Sequence, residues 1–241
     1  MEVDLTNCEG LKSVWLKNCK TLLVDGCTSL SSLTCSESHE LTTLDVSDCT
    51  NLINLNCQYT GLTSLDVTGL TMLEGLTCDN CKLTELKGLD SGLNSLKSLF
   101  CHDNQLNSIN VKSLSALEML ECGNNSMTTL DLSGLTKLTR FEYYESPVTT
   151  LNVSGCTALE SLFLQAGLKY LNITGCVNLS QLVNDTDDVV QMEEVKLDSI
   201  HDKFFSGTNY LWGTENSDLY KTPSHKQGYQ YPEFVYPSGN N

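Results

Sequence analysis

The chain has little positive charge and little proline. Its 241 residues include 14 Lys and Arg against 30 Asp and Glu, a formal net charge of −16, and only 4 prolines. A surface field this negative repels nucleic acid and anionic lipid alike. Binding to DNA, RNA or a membrane surface is therefore excluded as the main function.

Long hydrophobic runs are also missing. No apolar stretch approaches the roughly 18 residues of a transmembrane helix. The start, MEVDL, has neither the basic nor the apolar region of a signal peptide. We predict no membrane insertion, and we expect any signal peptide or anchor of the natural protein to lie outside this sequence.

Sequence signatures of catalysis are absent too. There is no HExxH, GxSxG, Walker loop or dinucleotide fingerprint, and the 4 histidines are scattered. Glu121 and Glu142 stand one repeat apart, and adjacent strands would hold them about 5 Å apart, as in a retaining glycosidase. However, an open, hydrated face does little to raise the pKa of an acid. We predict a protein that is not an enzyme and needs no cofactor.

What the sequence does contain is a repeat of about 21 residues. The phrases LTxLDV and LxxLxC alternate, as in LTSLDVTGLTMLEGLTC at residues 62–78. Period-2 alternation predicts two short strands per repeat, whose inward faces only neighbouring repeats can close. Spacers of about ten residues leave little room for helices. The first leucine of LxxLxC stands at nine positions: Leu11, Leu30, Leu52, Leu73, Leu96, Leu117, Leu138, Leu159 and Leu179.

Two of these repeats, LKSLFCHDNQL at 96–106 and LEMLECGNNSM at 117–127, closely match the pattern LxxLxLxxNxL. Residues 3–190 resemble the leucine-rich repeat family, and the 21-residue unit with LxxLDVSG is similar to its short-repeat subclass in bacterial surface proteins. The resemblance implies an α/β-class, right-handed solenoid of about nine turns, mostly short parallel strands and turns with little helix. It also implies an extracellular or cell-surface location in a bacterium.

The 12 cysteines fall into columns of this repeat. Leucine takes the same sites in other repeats, so we predict buried apolar residues. Parallel in-register strands keep stacked Cβ atoms near 4.8 Å, beyond the usual 3.5 to 4.5 Å of a disulfide, so we predict free thiols. Cys78 and Cys81 form a CxxC typical of zinc or redox sites, but no second CxxC accompanies it, and we predict no metal. The columns are Cys35, Cys57, Cys78, Cys101 and Cys122; Cys8, Cys27, Cys49, Cys156 and Cys176; and Cys19 and Cys81, where the family usually carries Asn.

A column of short acidic and amide residues lies in the second strand of most repeats. A row of carboxylates could bind calcium, but these oxygens spread along a line and do not converge on one point. Asp and Asn commonly accept hydrogen bonds from backbone N–H groups of a following turn. We predict this turn role for Asp4, Asp45, Asp66, Asn110, Asp131, Asn152 and Asn172.

The outward residues of the LxxLxC strand are not dictated by the repeat, so their chemistry is free to serve a ligand. Aromatic residues with Arg are typical of binding hot spots, although aromatics also suit strands and could be covered by the tail. We predict a non-enzymatic, monomeric module that binds a protein or a glycan here. The alternative is a structural spacer or stalk whose functional domain lies elsewhere. The predicted binding residues, in turns five to eight, are Phe100, His102, Glu121, Arg140, Glu142, Tyr144 and Phe163.

The repeat stops near residue 191, and the composition changes to aromatic residues and proline. The end of a solenoid exposes apolar core, which a non-repeat segment must cover. We predict a solenoid over 1–190, a C-terminal cap over 191–219 and an extended tail or linker over 220–241. The candidate cap residues are Met192, Val195, Leu197, Phe204, Phe205, Leu211 and Trp212.

Overall fold

The structure is a computed structural model that describes residues 1–165, 167–184, 194–198 and 233–235. These residues form 18 strands of three or four residues, joined by turns, with no helix among them. Within the same residues there is accordingly no helix of the length and apolarity needed to cross a membrane.

The first strand of each repeat belongs to one series of parallel strands, which we call the first ladder. Its first seven strands form a single sheet in which β2 and β12 are the edges, and the last two strands pair with each other. Nine strands correspond to nine turns, so the predicted solenoid of about nine turns is confirmed. The first ladder consists of β2 (Ser13–Trp15), β4 (Ser32–Thr34), β5 (Asn54–Asn56), β7 (Gly75–Thr77), β9 (Ser98–Phe100), β10 (Met119–Glu121), β12 (Arg140–Glu142), β14 (Ser161–Leu164) and β16 (Gln181–Asn184).

The second strands form a second ladder that is interrupted twice. It consists of a β1–β3 pair, a β6–β8 pair and a five-stranded sheet from β11 to β18. Residues 43–45 and 108–110, at the gaps, form no strand, so the prediction of two strands in every repeat is wrong there. The strands are β1 (Glu2–Asp4), β3 (Thr21–Leu23), β6 (Ser64–Asp66), β8 (Glu85–Lys87), β11 (Thr129–Asp131), β13 (Thr150–Asn152), β15 (Tyr170–Asn172), β17 (Glu194–Lys196) and β18 (Glu233–Val235).

The strands bury alternate residues, as the period-2 pattern predicts. In β9, Leu99 is fully buried while its two neighbours are partly exposed. Most cysteines lie in this core as free thiols, but Cys8 is exposed, because only one neighbouring turn packs against the first turn. The prediction of burial is therefore wrong for Cys8. Burial raises the pKa of Cys35 and Cys101 to about 12, which keeps both thiols protonated and unreactive.

The chain divides into two compact units. The first contains residues 1–127 and 142–146, and the second contains residues 128–141 and 147–241. In the second unit β17 and β18 continue the five-stranded sheet, and Val195 and Leu197 are buried. Most residues of the predicted cap and tail lie outside the described part of the chain, so those two boundaries stay predictions.

Candidate binding face on the first ladder

Three predicted binding residues of the first unit lie at the ends of adjacent first-ladder strands. Phe100 and Glu121 are register partners in β9 and β10, and the carbonyl of Glu142 accepts a 2.9 Å hydrogen bond from the N–H of Cys122. Each follows a buried residue in its strand and therefore points outward. Phe100, Glu121 and Glu142 are each partly exposed.

Two other predicted residues belong to the second unit. Arg140 is exposed and starts β12, where it flanks the buried Phe141. Phe163 lies in β14 and is 40% exposed. Both are outward residues of the first ladder, as predicted from the sequence.

Just beyond each of seven first-ladder strands, the chain passes through a residue in the left-handed backbone region. After the strands β9 and β10 these residues are Asp103 (φ 53°) and Asn124 (φ 45°). Asn and Asp adopt this conformation more readily than most residues. In this conformation the side chain of Asp103 lies against the ring of the preceding residue, His102. The seven residues are Asn18, Glu37, Tyr59, Asn80, Asp103, Asn124 and Glu145.

The carboxylate of Asp103 fixes the imidazole of His102. Its Oδ2 lies 2.7 Å from Nδ1 of His102, and its Oδ1 accepts a 2.5 Å hydrogen bond from the Asn124 side chain. Partial burial raises the pKa of Asp103, but these two hydrogen bonds outweigh it, so the pKa is lowered. Because an ionised carboxylate only accepts hydrogen bonds, the Nδ1 atom carries a proton.

The opposite edge of the ring faces two more carboxylates. Nε2 of His102 lies 3.8 Å from Oδ2 of Asp79 and 4.0 Å from Oε2 of Glu121. Both distances are too long for direct hydrogen bonds. Asp79 is buried, with 4% of its surface exposed, and its Oδ2 accepts a hydrogen bond from the side chain of Asn80.

An aromatic ring flanks this group. The ring of Tyr144 lies 5.9 Å from that of His102, tilted by 49°, and Tyr144 is 36% exposed. Burial raises the pKa of Tyr144, and the surrounding carboxylates raise it further. We call the five residues Asp79, His102, Asp103, Glu121 and Tyr144 the His102 cluster.

The backbone beneath the cluster is held by two asparagines, the partly exposed Asn104 and the buried Asn125. Asn104 donates to the carbonyls of Cys78, Cys101 and His102 and accepts from the N–H of Leu83, all at 2.9 to 3.1 Å. Asn125 makes the same four contacts one turn later. The cluster therefore stands on a fixed backbone.

The backbone of the next turn passes close to Gly123, which explains why this position is a glycine. A Cβ atom at this position would lie 2.6 Å from the carbonyl oxygen of Tyr144. Any larger residue would displace the turn that carries Tyr144.

Asp79 and Asp103 were not among the binding residues predicted from the sequence. Asp79 occupies the same repeat position as His102, one turn earlier, so its column position was an available signal. Asp103 joins the cluster through its left-handed backbone, which the repeat pattern did not reveal.

The column of Asp and Asn on the second ladder closes turns, as predicted. Six of its seven members accept a hydrogen bond from the N–H two residues later; within the described residues Asn110, at a gap, makes none. Among the described residues, no group of three or more His, Cys, Asp or Glu is placed to hold a metal ion.

Known structures share this architecture. The functional domain of InlJ from Listeria monocytogenes, which includes a cysteine ladder, is 24% identical with a TM-score of 0.52 and matches 88% of this chain. An internalin, inlF, from the same species is 19% identical with a TM-score of 0.51, covering 98% of this chain and 76% of that chain.

The chain has a leucine-rich repeat fold. It spans only 55% of the InlJ domain. A third leucine-rich repeat structure is the ectodomain of the plant receptor kinase GASSHO1/SCHENGEN3 from Arabidopsis thaliana, in complex with CASPARIAN STRIP INTEGRITY FACTOR 2. It is 18% identical with a TM-score of 0.52, covering 82% of this chain and 32% of that chain. No family model and no curated protein matches the sequence.

Proposed function

We propose that this leucine-rich repeat chain is a non-enzymatic binding module that recognises a protein partner through the outward residues of the first ladder. The binding residues are those in turns five to eight: Phe100, His102, Glu121, Arg140, Glu142, Tyr144 and Phe163. The observation that carries the proposal is the His102 cluster, which gathers charged and aromatic side chains that the fold does not require. Aromatic and charged groups at a partly exposed face are typical of interface hot spots.

The comparisons support a protein partner over a glycan. One leucine-rich repeat neighbour, the plant receptor ectodomain, was solved in complex with a protein factor. Two others, the functional domain of InlJ and the internalin inlF, come from the bacterium Listeria monocytogenes. We also propose a location at the bacterial cell surface or among secreted proteins, where burial of most of the thiols would protect them from oxidation.

A binding screen with matched variants tests the proposal. The chain is probed against a peptide array and a glycan array, beside Tyr144→Ala and Phe163→Ala. The control is Trp15→Ala, which removes a 67% exposed aromatic from the same ladder but from an early turn. We expect peptide ligands whose binding falls at least tenfold in the first two variants and is unchanged in the control. If no ligand depends on Tyr144 or Phe163, the spacer alternative replaces the proposal; ligands found only on the glycan array would change the partner class.

The same preparation tests the predicted monomer. Sedimentation velocity should give a single species near the chain mass of 26.5 kDa. A concentration-dependent dimer would contradict this part of the proposal.

A further inference from the structure

The first four strands of the first ladder present outward residues that carry no charge. β2, β4, β5 and β7 lie side by side in one sheet, whereas the outward residues of β10 and β12 include Glu121, Arg140 and Glu142. An uncharged strip stands apart in a chain with 30 acidic and 14 basic residues. We call it the neutral strip, and its residues are Ser13, Trp15, Ser32, Thr34, Asn54, Asn56, Gly75 and Thr77.

Polar groups in the middle of the neutral strip are available to a ligand. Thr34, Asn56 and Thr77 are register partners in neighbouring strands, which lie about 4.8 Å apart. The Oδ1 atom of Asn56 accepts a 3.1 Å hydrogen bond from the N–H of Gln58, which fixes the orientation of the amide. Within the described part of the chain, the NH2 group of Asn56 and the hydroxyls of Thr34 and Thr77 make no hydrogen bond to protein.

A glycine leaves room for a further amide in the strip. A Cβ atom at Gly75 would lie 2.8 Å from Oδ1 of Asn54 and 3.4 Å from Oγ of Ser98. Gly75 and Asn54 are register partners, so the missing side chain makes space for the neighbouring amide. Asn54 is exposed, and its amide can donate and accept hydrogen bonds at the surface of the strip.

An exposed indole stands at one end of the neutral strip. Trp15 is 67% exposed. The Nζ atom of Lys17 lies 5.6 Å from the centroid of its ring and forms an ion pair with Glu37. A cation held over an aromatic ring is attracted to the π face, so this contact orients the indole. Most of the ring surface stays open beside the hydroxyl and amide groups.

We infer that the neutral strip binds an uncharged saccharide chain. Sugar hydroxyls pair with hydroxyl and amide groups, which donate and accept hydrogen bonds without carrying charge. The apolar C–H face of a sugar ring packs on an indole, which offers a large flat apolar surface. The strip runs for about 14 Å from Trp15 to Thr77, at about 4.8 Å per strand, so it can contact several sugar units in a row.

The charge of the chain favours a neutral saccharide over an acidic one. The net charge of −16 repels anionic ligands, and the strip offers no cation of its own to offset this field. The strip shares no residue with the proposed protein-binding site in turns five to eight. The inference therefore goes beyond the proposed function and does not rest on it.

A saccharide titration followed by NMR tests the inference. The probes are the neutral hexasaccharides cellohexaose, maltohexaose and N-acetylchitohexaose, with hexagalacturonic acid as the acidic counterpart. The indole N–H signal of Trp15, one of 2 tryptophans, is assigned with Trp15→Phe. We expect at least one neutral probe to shift this signal saturably and the acidic probe to leave it unchanged. No shift with any neutral probe, or an equal response to the acidic probe, would overturn the inference.

Variants locate the binding. Trp15→Ala should weaken it roughly tenfold or more, because stacking on the indole is lost. Asn56→Asp keeps the acceptor for the N–H of Gln58 but loses the NH2 donors, so it should weaken binding roughly threefold to tenfold. The matched control is Tyr170→Ala, which removes a 39% exposed aromatic from the second ladder and should leave the affinity unchanged. Full affinity in both Trp15→Ala and Asn56→Asp would overturn the inference.

The two proposals fail in different ways. A glycan-array ligand that depends on Trp15, but not on Tyr144 or Phe163, supports the neutral strip and leaves the proposed protein site untouched. Peptide ligands that depend on Trp15 would make the strip a protein interface and overturn the saccharide inference. If saccharides shift the Trp15 signal but no array ligand depends on Tyr144 or Phe163, the proposed function alone is wrong.

Discussion

The two ladders of the solenoid use their outward side chains for different purposes. On the second ladder, the outward Asp or Asn recurs from turn to turn and closes the following turn by the same hydrogen bond. On the first ladder, the outward residue changes from Trp15 to Thr34 to Phe100 to Glu121. The comparison teaches that a residue repeated in most turns serves the fold, whereas a residue that varies is available for a ligand.

The two ladders also differ in how continuously their strands pair. The first ladder keeps seven strands in one unbroken sheet, while the second is interrupted at residues 43–45 and 108–110. Unbroken pairing fixes the register between turns, and so the positions of outward side chains. The face with the variable residues is therefore also the one with the more regular backbone.

The largest loss of stability is expected on replacing Asn125, which supports the backbone beneath the outward residues of the first ladder. Asn125→Ala removes four hydrogen bonds of a buried side chain and leaves one N–H and three carbonyls without this partner. We expect a loss of roughly 3 kcal/mol in the free energy of unfolding, measured by urea denaturation. Replacing the adjacent exposed Ser126 with Ala is the control. A loss below about 1 kcal/mol in Asn125→Ala would show that Asn125 does not hold the turn.

A smaller effect is expected for the turn-closing column. Asp66→Ala should cost about 1 kcal/mol, because the N–H of Thr68 loses its acceptor. Asp66→Asn keeps an acceptor, as Asn152 does four turns later in the column, and should cost little. If both variants lose the same amount, the carboxylate has a role other than this hydrogen bond.

Asp66 should also make the stability of the fold depend on pH. Hydrogen bonds from the side chain and the backbone of Thr68 lower the pKa of Asp66 from its ordinary value of 3.8. Its contribution to stability is therefore present above about pH 4 and is lost as the pH falls through the lowered native pKa. Wild type and Asp66→Asn should be about equally stable above pH 4, and wild type alone should lose stability as the pH falls through the lowered pKa of Asp66. Parallel acid curves for the two proteins would contradict the assignment.

Relief of backbone strain should produce a modest gain. Glu145 has φ of 50°, in the column where Asn and Asp also occur. Asn tolerates this conformation better, so Glu145→Asn should raise the free energy of unfolding by about 0.5 kcal/mol. Asn124→Glu, the reverse exchange one turn earlier, should lower it. Thermal unfolding that moves both variants in the same direction would contradict the role given to backbone conformation.

The smallest effect concerns the ionisation of Tyr144. Burial and then the carboxylates of Asp103, Glu121, Glu142 and Asp79 raise its pKa above the ordinary value of 10.0. Proton uptake is thus favoured in the folded state, and the associated stability falls as the pH rises from 10 through the raised pKa. A pH titration of the Tyr144 ring signals should give a lower pKa in Glu142→Gln than in wild type. An unchanged pKa would place that carboxylate away from the phenol.

Much of the fold could be predicted because the repeat carries it. The spacing of Leu11 to Leu179 gave the number of turns, and exchange of Cys with Leu identified buried columns. Cys8 was mispredicted because burial depends on neighbouring turns as well as on repeat position. The two gaps in the second ladder were missed because residues 43–45 and 108–110 keep the same alternation as true strands.

The candidate site was only partly predictable. Outward residues such as Phe100 and Tyr144 follow from alternation alone. The contact between His102 and Asp103 depends on a left-handed backbone, and the approach of Asp79 depends on the packing of one turn on the next. Neither contact can be predicted from the spacing of the repeat.

The central claim is that the first ladder carries the ligand and the second ladder carries the turns. We would measure array-ligand binding and urea unfolding together for Tyr144→Ala and for Asp45→Ala plus Asp66→Ala. We predict that Tyr144→Ala loses binding at least tenfold with a stability change below about 1 kcal/mol, while the double variant loses about 2 kcal/mol and keeps its affinity. Binding that survives in Tyr144→Ala but is lost in the folded double variant would contradict the claim.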